Sequence, residues 1–242
     1  MRVAVLSDIH SNLEALEAVL AAADEMGCDR MLVLGDIVGY GADPDAVIDR
    51  LAAREAITIA GNHDLAATGA FDVSWFNDAA AAAIAWTKNS MSPDSKEFLS
   101  SLDPIRETEH GLLVHGSVRD PVAEYLLSAE EAAASFELAP FSLAFFGHTH
   151  LPTVFRRGPD ARVMGWVLGE GEVIELAPGE RYMLNPGSVG QPRDRDPRAA
   201  FIVFDGEKAV GHRVGYPIDR AAKKIRAAGL PGWLSDRLWI GE

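Results

Sequence analysis

Hydrophobic positions along the chain fall into short apolar runs separated by longer amphipathic stretches. Val3–Leu6, Met31–Leu34, Ala56–Ala60, Leu112–Val114 and Leu143–Phe146 are brief, rich in aliphatic residues and bounded by polar or glycine positions, which predicts β-strands. Between the first two runs, Leu13, Leu16, Leu20 and Ala23 share one face of a helix over Ser11–Met26, and Ser11-x-x-Glu14 offers a capping box at its start. Asp43-Pro44 opens a second helix with an N-cap residue followed by proline in the first turn. The first sixty residues thus alternate strand and helix, which predicts parallel pairing.

The pattern then changes twice. A helical insert spans about residues 70–103: Ser74–Asn89 carries the run Ala79–Ala83, and Ser92-Pro93 begins another helix that ends near Leu102. It is expected either to cap a site or to pack on the core. Ser128-x-x-Glu131 starts a further helix. From Thr153 to Val214 short strands alternate with Gly, Pro and Asp turns, predicting a second, largely antiparallel sheet. A C-terminal helix and apolar tail occupy about residues 216–242. Pro217–Ala228 places Ile218, Ala221, Ala222 and Ile225 on one face, and Trp233–Ile240 holds two tryptophans and two leucines. Such a tail must dock on its own domain or bury against another chain, which leaves a homo-oligomer open. With no repeat or flexible linker, residues 1–242 read as one α/β domain.

Composition narrows the partners. The formal net charge of −14 argues against general affinity for nucleic acid or anionic membranes. Two bound divalent cations would bring it to about −10 and make a pocket locally positive, so a small phosphate ester remains compatible. Cys28 is the only cysteine and excludes an intrachain disulfide. The apolar run after Arg2 is too short for a signal peptide, and no stretch approaches the ~18 residues of a membrane span. The expectation is a soluble, cytoplasmic protein.

The chemistry lies immediately after the strands. The motifs are Asp8-Ile9-His10, Gly35-Asp36, Gly61-Asn62-His63-Asp64, His115-Gly116 and Gly147-His148-Thr149-His150. Carboxyl ends of strands in α/β sheets are where ligand-binding residues gather. Any one such His or Asp is more often a turn or cap residue, but five motifs converging on one edge would be costly to bury without a cation. Asp8, His10, Asp36, Asn62, His115, His148 and His150 give seven oxygen and nitrogen donors and no thiolate, which disfavours structural zinc. Seven suit two ions about 3.5–4 Å apart with one bridging carboxylate and a bridging hydroxide nucleophile. His63, beside Asn62, is the candidate general acid or phosphate contact. Asp64 is expected to orient it or to cap the following turn.

In order and spacing these residues resemble the calcineurin-like metallophosphoesterase superfamily, whose signature is D-x-H, G-D, G-N-H-D/E, G-H and G-H-x-H. The stretch Asn185-Pro-Gly-Ser-Val-Gly-Gln-Pro-Arg193 is similar to a loop of its small bacterial and archaeal members. The resemblance implies a four-layer αββα sandwich, two mixed β-sheets flanked by helices. It implies one metal on Asp8, His10, Asp36 and His150, a second on Asp36, Asn62, His115 and His148, and His63 as catalytic histidine. The ions would be drawn from Mn, Fe, Zn or Ni, with Mn favoured. Protein phosphatases of the superfamily carry G-D-x-V-D-R-G, whereas here Gly39 and Tyr40 stand where that Asp-Arg pair would be. This departs from a phosphoprotein role and favours the small phosphodiesterase/phosphatase branch, acting on small nucleotide-like phosphate esters. The alternatives are a non-catalytic scaffold of the same fold, or a protein phosphatase or nuclease. Asn12, Tyr40 and Arg193 are secondary candidates for substrate contact. Against them, Asn12 could cap the first helix, Tyr40 could simply pack, and Arg193 could pair with Asp194 or Asp196. His110, His212 and Cys28 are read as structural.

Overall fold

The computed structural model describes residues 1–242. Its strands are β1 Val3–Leu6, β2 Arg30–Val33, β3 Ile57–Thr58, β4 Ile105–Thr108, β5 Gly111–Val114, β6 Leu143–Phe145, β7 Pro152–Arg157, β8 Val163–Val167, β9 Val173–Glu175, β10 Arg181–Pro186, β11 Ala199–Phe204 and β12 Lys208–Val214. Its helices are α1 Leu13–Glu25, α2 Pro44–Ala53, α3 Asn62–Thr68, α4 Asp78–Ser90, α5 Pro93–Ser100, α6 Ala129–Leu138, α7 Ile218–Ala227 and α8 Gly232–Asp236.

Two mixed six-stranded sheets face each other, in the orders β3-β2-β1-β11-β12-β9 and β4-β5-β6-β10-β7-β8. Strand periodicity divides the side chains between two environments. Val3 and Val5 enter the apolar layer between the sheets with Phe145, Leu184 and Ile202. Ala4 and Leu6 point the other way, into a cluster with Leu16, Val19 and Leu51 of α1 and α2. On the second sheet Ala144 and Met183 pack against Ala132 and Phe136 of α6. Helix, sheet, sheet, helix is therefore the layer order, a four-layer sandwich. No helix is long and apolar enough to cross a membrane.

The parallel pairing expected at the start is present: β1 pairs with β2 and β2 with β3 in parallel. The later strands differ from expectation. They do not build a sheet of their own; β11, β12 and β9 extend the first sheet from β1 by successive antiparallel pairs, while β7, β8 and β10 extend the second, with β10 parallel to β6. Local alternation specifies a strand, but the partner is chosen by tertiary packing.

Helix starts show a second correction. The cap of α1 is Asn12, whose side chain accepts from the Ala15 amide at 3.2 Å; Ser11 adopts φ 52° and its hydroxyl is buried without a partner, so the Ser11–Glu14 box does not form. The Ser128–Glu131 box does form. In the insert, the helix expected from Ser74 starts at Asp78 under an Asn77 cap, preceded by a separate 3-10 turn at Val73–Trp75. That insert serves both expected purposes: Met91 and Leu99 enter the core, while Phe71, Trp75 and Phe76 line a cavity at the site. Cys28 is half-buried against the same core. In the tail, Leu234 and Leu238 dock on Tyr40, Ala83 and Ile225, whereas Trp233, Trp239 and Ile240 stay about half exposed.

Candidate metal centre

All five motifs sit at carboxyl ends of strands, Asp8 and Asp36 after β1 and β2 of the first sheet, His115 and the His148–His150 pair after β5 and β6 of the second. The loops after β1 and β2 stay bonded past the strands, His10 N donating to Asp36 O at 2.9 Å and Ser11 N to Ile37 O at 2.8 Å. Asn62 and His63 are not in extended chain, as the position after β3 suggested, but in the first turn of α3. Asp64 closes that turn, accepting from the amides of Gly61 at 2.9 Å and Val38 at 3.0 Å. Of its two expected roles, it takes the cap.

Asp8, His10, Asp36, His148 and His150 all have φ between 50° and 66°. Non-glycine residues in left-handed backbone are uncommon, and their concentration at one spot marks a functional geometry sustained by the surrounding fold. Gly61 makes the closest approach possible. A Cβ there would lie 2.8 Å from Asp36 Cγ and nearer still to Asp36 Oδ1 and N.

The donors converge in two buried sets that share Asp36: Asp8, His10, Asp36 and His150, and Asp36, His115 and His148, each with its ligand atoms within 4.8 Å of one another. Asn62 Oδ1 joins the second set, 3.0 Å from His115 Nε2. Each ring spends one nitrogen on a main-chain carbonyl. His10 Nδ1 donates to Val38 O, His115 Nδ1 to Leu34 O, His150 Nδ1 to Gln191 O and His148 Nε2 to Ala123 O. A carbonyl only accepts, so those nitrogens carry the protons and the others offer lone pairs. His10 Nε2 and His150 Nε2 then face each other across 3.1 Å with no proton between them, and Asp8 Oδ1, 3.3 Å from His150 Nε2, has no hydrogen-bond partner.

Burial drives the titration of these groups. It pushes Asp8 up to about 7, with the like charge of Asp36 adding and His115 opposing, and it pushes Asp36 well above the usual carboxylate range. It holds His10, His148 and His150 well below the usual histidine value. Lone pairs aimed at one another and acids buried without counter-charge are stabilised together by cations between them, so the residues fit a pair of metal ions.

Residues 1–209 match the family model described as the calcineurin-like phosphoesterase superfamily domain. The chain belongs to that superfamily. This calcineurin-like phosphoesterase is 36% identical over 246 residues to an uncharacterized protein of Methanocaldococcus jannaschii, covering 99% of the chain and 98% of that protein. It is similar to a metallophosphoesterase crystal structure from Sphaerobacter thermophilus, with 38% identity, TM-score 0.89 and both chains covered in full. A hypothetical protein of Pyrococcus horikoshii shares the fold at 21% identity and TM-score 0.80, covering all of this chain and 98% of that one. The phosphoesterase is thus a metal-dependent enzyme of known architecture, with two His/Asp clusters consistent with a dinuclear centre.

Around that centre, Tyr40 is buried with its ring 4.6 Å from that of His10 and 4.4 Å from that of His63. His63 Nδ1 is buried and unpartnered, and its amide donates to Asp36 Oδ1 at 2.8 Å. A side chain at Gly39 (φ 91°) would collide with His63 Nδ1, so this backbone has no room for the aspartate of the protein phosphatases. Arg193 is half-buried, Nη2 donating to Gln191 Oε1 at 3.2 Å with Nε unpartnered. It does not pair with its acidic neighbours, since Arg213 takes Asp194 and Arg198 takes Asp196. The amide of Asn12 is engaged at both ends by main chain, accepting from Ala15 N and donating to Gly190 O at 2.9 Å. His110 and His212 lie elsewhere, beside Glu109 and against Phe201.

Sequence reasoning missed the aromatic wall. Phe76 stands edge-on to His63 at 4.8 Å and Tyr125 stacks on His148 at 4.0 Å. With Tyr40 and Asn62 they line a cavity of about 150 Å³. Aromatics in turn-rich segments carry no periodic signal, and only the fold brings them to the metal donors.

Proposed function

We propose that this enzyme hydrolyses small, nucleotide-like phosphate esters at a two-metal centre, with manganese as a competent metal. The observation that supports this reading is an aromatic-lined cavity that opens on His63 and on the donor set containing Asn62 and His148. Asp8, His10, Asp36 and His150 would hold one ion, and Asp36, Asn62, His115 and His148 the other. When bound, the pair supplies an acidified water and neutralises charge on the phosphoryl oxygens.

The chain's own residues do the rest. Asp36 is held by the His63 amide, which couples the shared ligand to the first turn of α3. Burial and the nearby Arg193 keep the His63 ring neutral in the free protein. The negative charge of a bound phosphate favours its protonated form, so the ring becomes a proton donor to the leaving oxygen as substrate arrives. Phe76, Trp75 and Tyr125 offer faces on which a planar base or aryl leaving group stacks, and they exclude water from its departure path.

The test is turnover of aryl and nucleoside phosphodiesters and monoesters by protein stripped with EDTA and reloaded with Mn²⁺. Hydrolysis with a lower KM for aryl or nucleoside esters than for alkyl esters is expected. No hydrolysis with any divalent ion would refute the assignment.

A further inference from the structure

The carboxyl ends of the strands are committed to the metal donors, but the lateral edges of the two sheets are not all closed. Strands β3 and β9 stand at the edges of the first sheet, β4 and β8 at those of the second. β3 is only Ile57–Thr58, and β9 is a short strand ending in Glu175, which pairs with Lys208. β4 carries the exposed charges Arg106 and Glu107. Short length and charge are how sheet edges refuse a further strand. β8, Val163-Met-Gly-Trp-Val167, has neither guard, being five residues long with no charge and no proline.

The register fixes which main-chain groups of β8 are free. Leu168 N donates to Pro152 O and Gly158 N to Arg162 O, both at 3.0 Å, so the ladder with β7 bonds at the even-numbered residues of β8. Antiparallel ladders alternate, so Met164 and Trp166 turn their N–H and C=O toward β7, while Val163, Gly165 and Val167 turn theirs outward. No other strand or side chain takes up these outward groups. Apolar surface gathers at the same edge. Val167 is 68% exposed and Leu127, just before α6, is 62% exposed. With Phe155 they line a groove of about 260 Å³ beside the strand. At mid-strand the Phe155 ring takes the space above Gly165, where a Cβ would lie 2.5 Å from Phe155 Cε1, so no side chain projects there.

The strand is also its own complement, because it reads alike from either end, a valine and a large apolar residue on each side of one glycine. We propose that β8 pairs antiparallel with β8 of a second copy about a two-fold axis at Gly165, joining the second sheets of two molecules into one. Gly165 then meets the second copy's Gly165, Val163 its Val167 and Met164 its Trp166, with no charge opposed. The outward-facing residues are the ones that bond, and the second copy's Val163 enters the groove beside Leu127. An extended segment of another protein would satisfy the backbone equally, but only this strand itself matches the symmetry. The tail is the poorer surface, since Trp233 is covered by the Arg237 guanidinium 5.7 Å from its ring centroid and brings no unpaired strand.

Sedimentation of the full-length protein should show a dimer with a Kd of about 1–100 µM, in keeping with an interface built on one strand. Amide exchange read residue by residue should find Val163, Gly165 and Val167 protected in the dimer and fast on dilution, with Met164 and Trp166 protected in both. Val167→Lys should weaken the dimer by about tenfold or more. Adding Val163→Glu should restore it, because the register sets the two side chains opposite each other, and Trp239→Glu should leave it intact. Should the double variant lose Tm, the exchange pattern of the wild type decides. A wild type that stays monomeric to about 1 mM would overturn the pairing. So would a dimer in which the three outward amides exchange as fast as in the monomer, or one that Trp239→Glu dissolves and Val167→Lys spares.

Discussion

Gly61→Ala separates the geometry of the metal centre from the stability of the fold. Gly61 has φ −104° and ψ 177°, extended backbone open to any residue, so alanine brings no conformational strain there. What it brings is a methyl group 2.8 Å from Asp36 Cγ and closer to Asp36 Oδ1 and N. Carbon atoms rest at about 3.5–4.0 Å, so the ends of β2 and β3 must part by roughly 1 Å. Overpacking of this kind costs about 1–3 kcal/mol, or roughly 2–10 °C in Tm for a chain of this length. The displaced group is the carboxylate shared by both donor sets, so the catalytic loss should be far larger, about 10²-fold or more for a misplacement of that size. Metal content by mass spectrometry, Tm and turnover of an aryl phosphodiester would be measured on the same preparation. A variant that holds two equivalents of metal and turns over within threefold of wild type would refute the close-packing account.

Removing metal with EDTA should lower Tm by several degrees and restoring Mn²⁺ should recover it, since ligand at 100 times its Kd contributes about 2.7 kcal/mol per site; an unchanged Tm would mean that these donors hold no ion. His63→Ala should keep full metal occupancy while turnover falls by about 10²–10⁴-fold, whereas metal loss equal to that of Asp36→Ala would make His63 a ligand. In metal-free protein, His10, His63, His148 and His150 are pushed below their ordinary value by burial, so the unfolded chain binds their protons first and stability falls as pH drops below about 6.5. Asp8, raised from 3.8 to about 7, and Asp36, also raised well above 3.8, keep protons in the fold that the unfolded chain gives up above about pH 4, so their contribution falls from there as pH rises toward 7; with four histidines outweighing two carboxylates below about 6.5, urea unfolding should show a maximum near that pH, and a monotonic profile would refute the burial argument.

The strands that carry the donors were legible in sequence because each is a short apolar run followed within two residues by Gly, Asp or His, and the observed β1, β5 and β6 differ from the expected runs by at most one residue at an end. The convergence of distant motifs followed from parallel β1–β2–β3 pairing, which puts carboxyl ends side by side. What escaped was whatever depends on partners far along the chain. Strands β7 to β12 look alike locally, and only packing sorts them between two sheets. Ser11 and Asn12 are both competent caps; the left-handed turn that aims His10 inward consumes Ser11 as well and leaves the cap to Asn12. Asn62 and His63 read as strand-end residues because α3 is short and its cap is a glycine, so the side chains that hold its first turn are Asp64, from within it, and the distant Asp36. Arg193 was suspected of pairing with its acidic neighbours, but two other arginines reach them first.

The donor sets draw on opposite faces of the sandwich, Asp8, His10 and Asp36 from one sheet and His115, His148 and His150 from the other. Ions seated there rivet the two layers along one rim, while the greasy seam between them, with Phe145 and Leu184, sets how far they slide. The centre is in effect a caliper on sheet-to-sheet alignment. A seam substitution too mild to melt the protein, and remote from every ligand, should still register as weakened ion uptake, so affinity for metal offers a finer gauge of interior order than any melting curve.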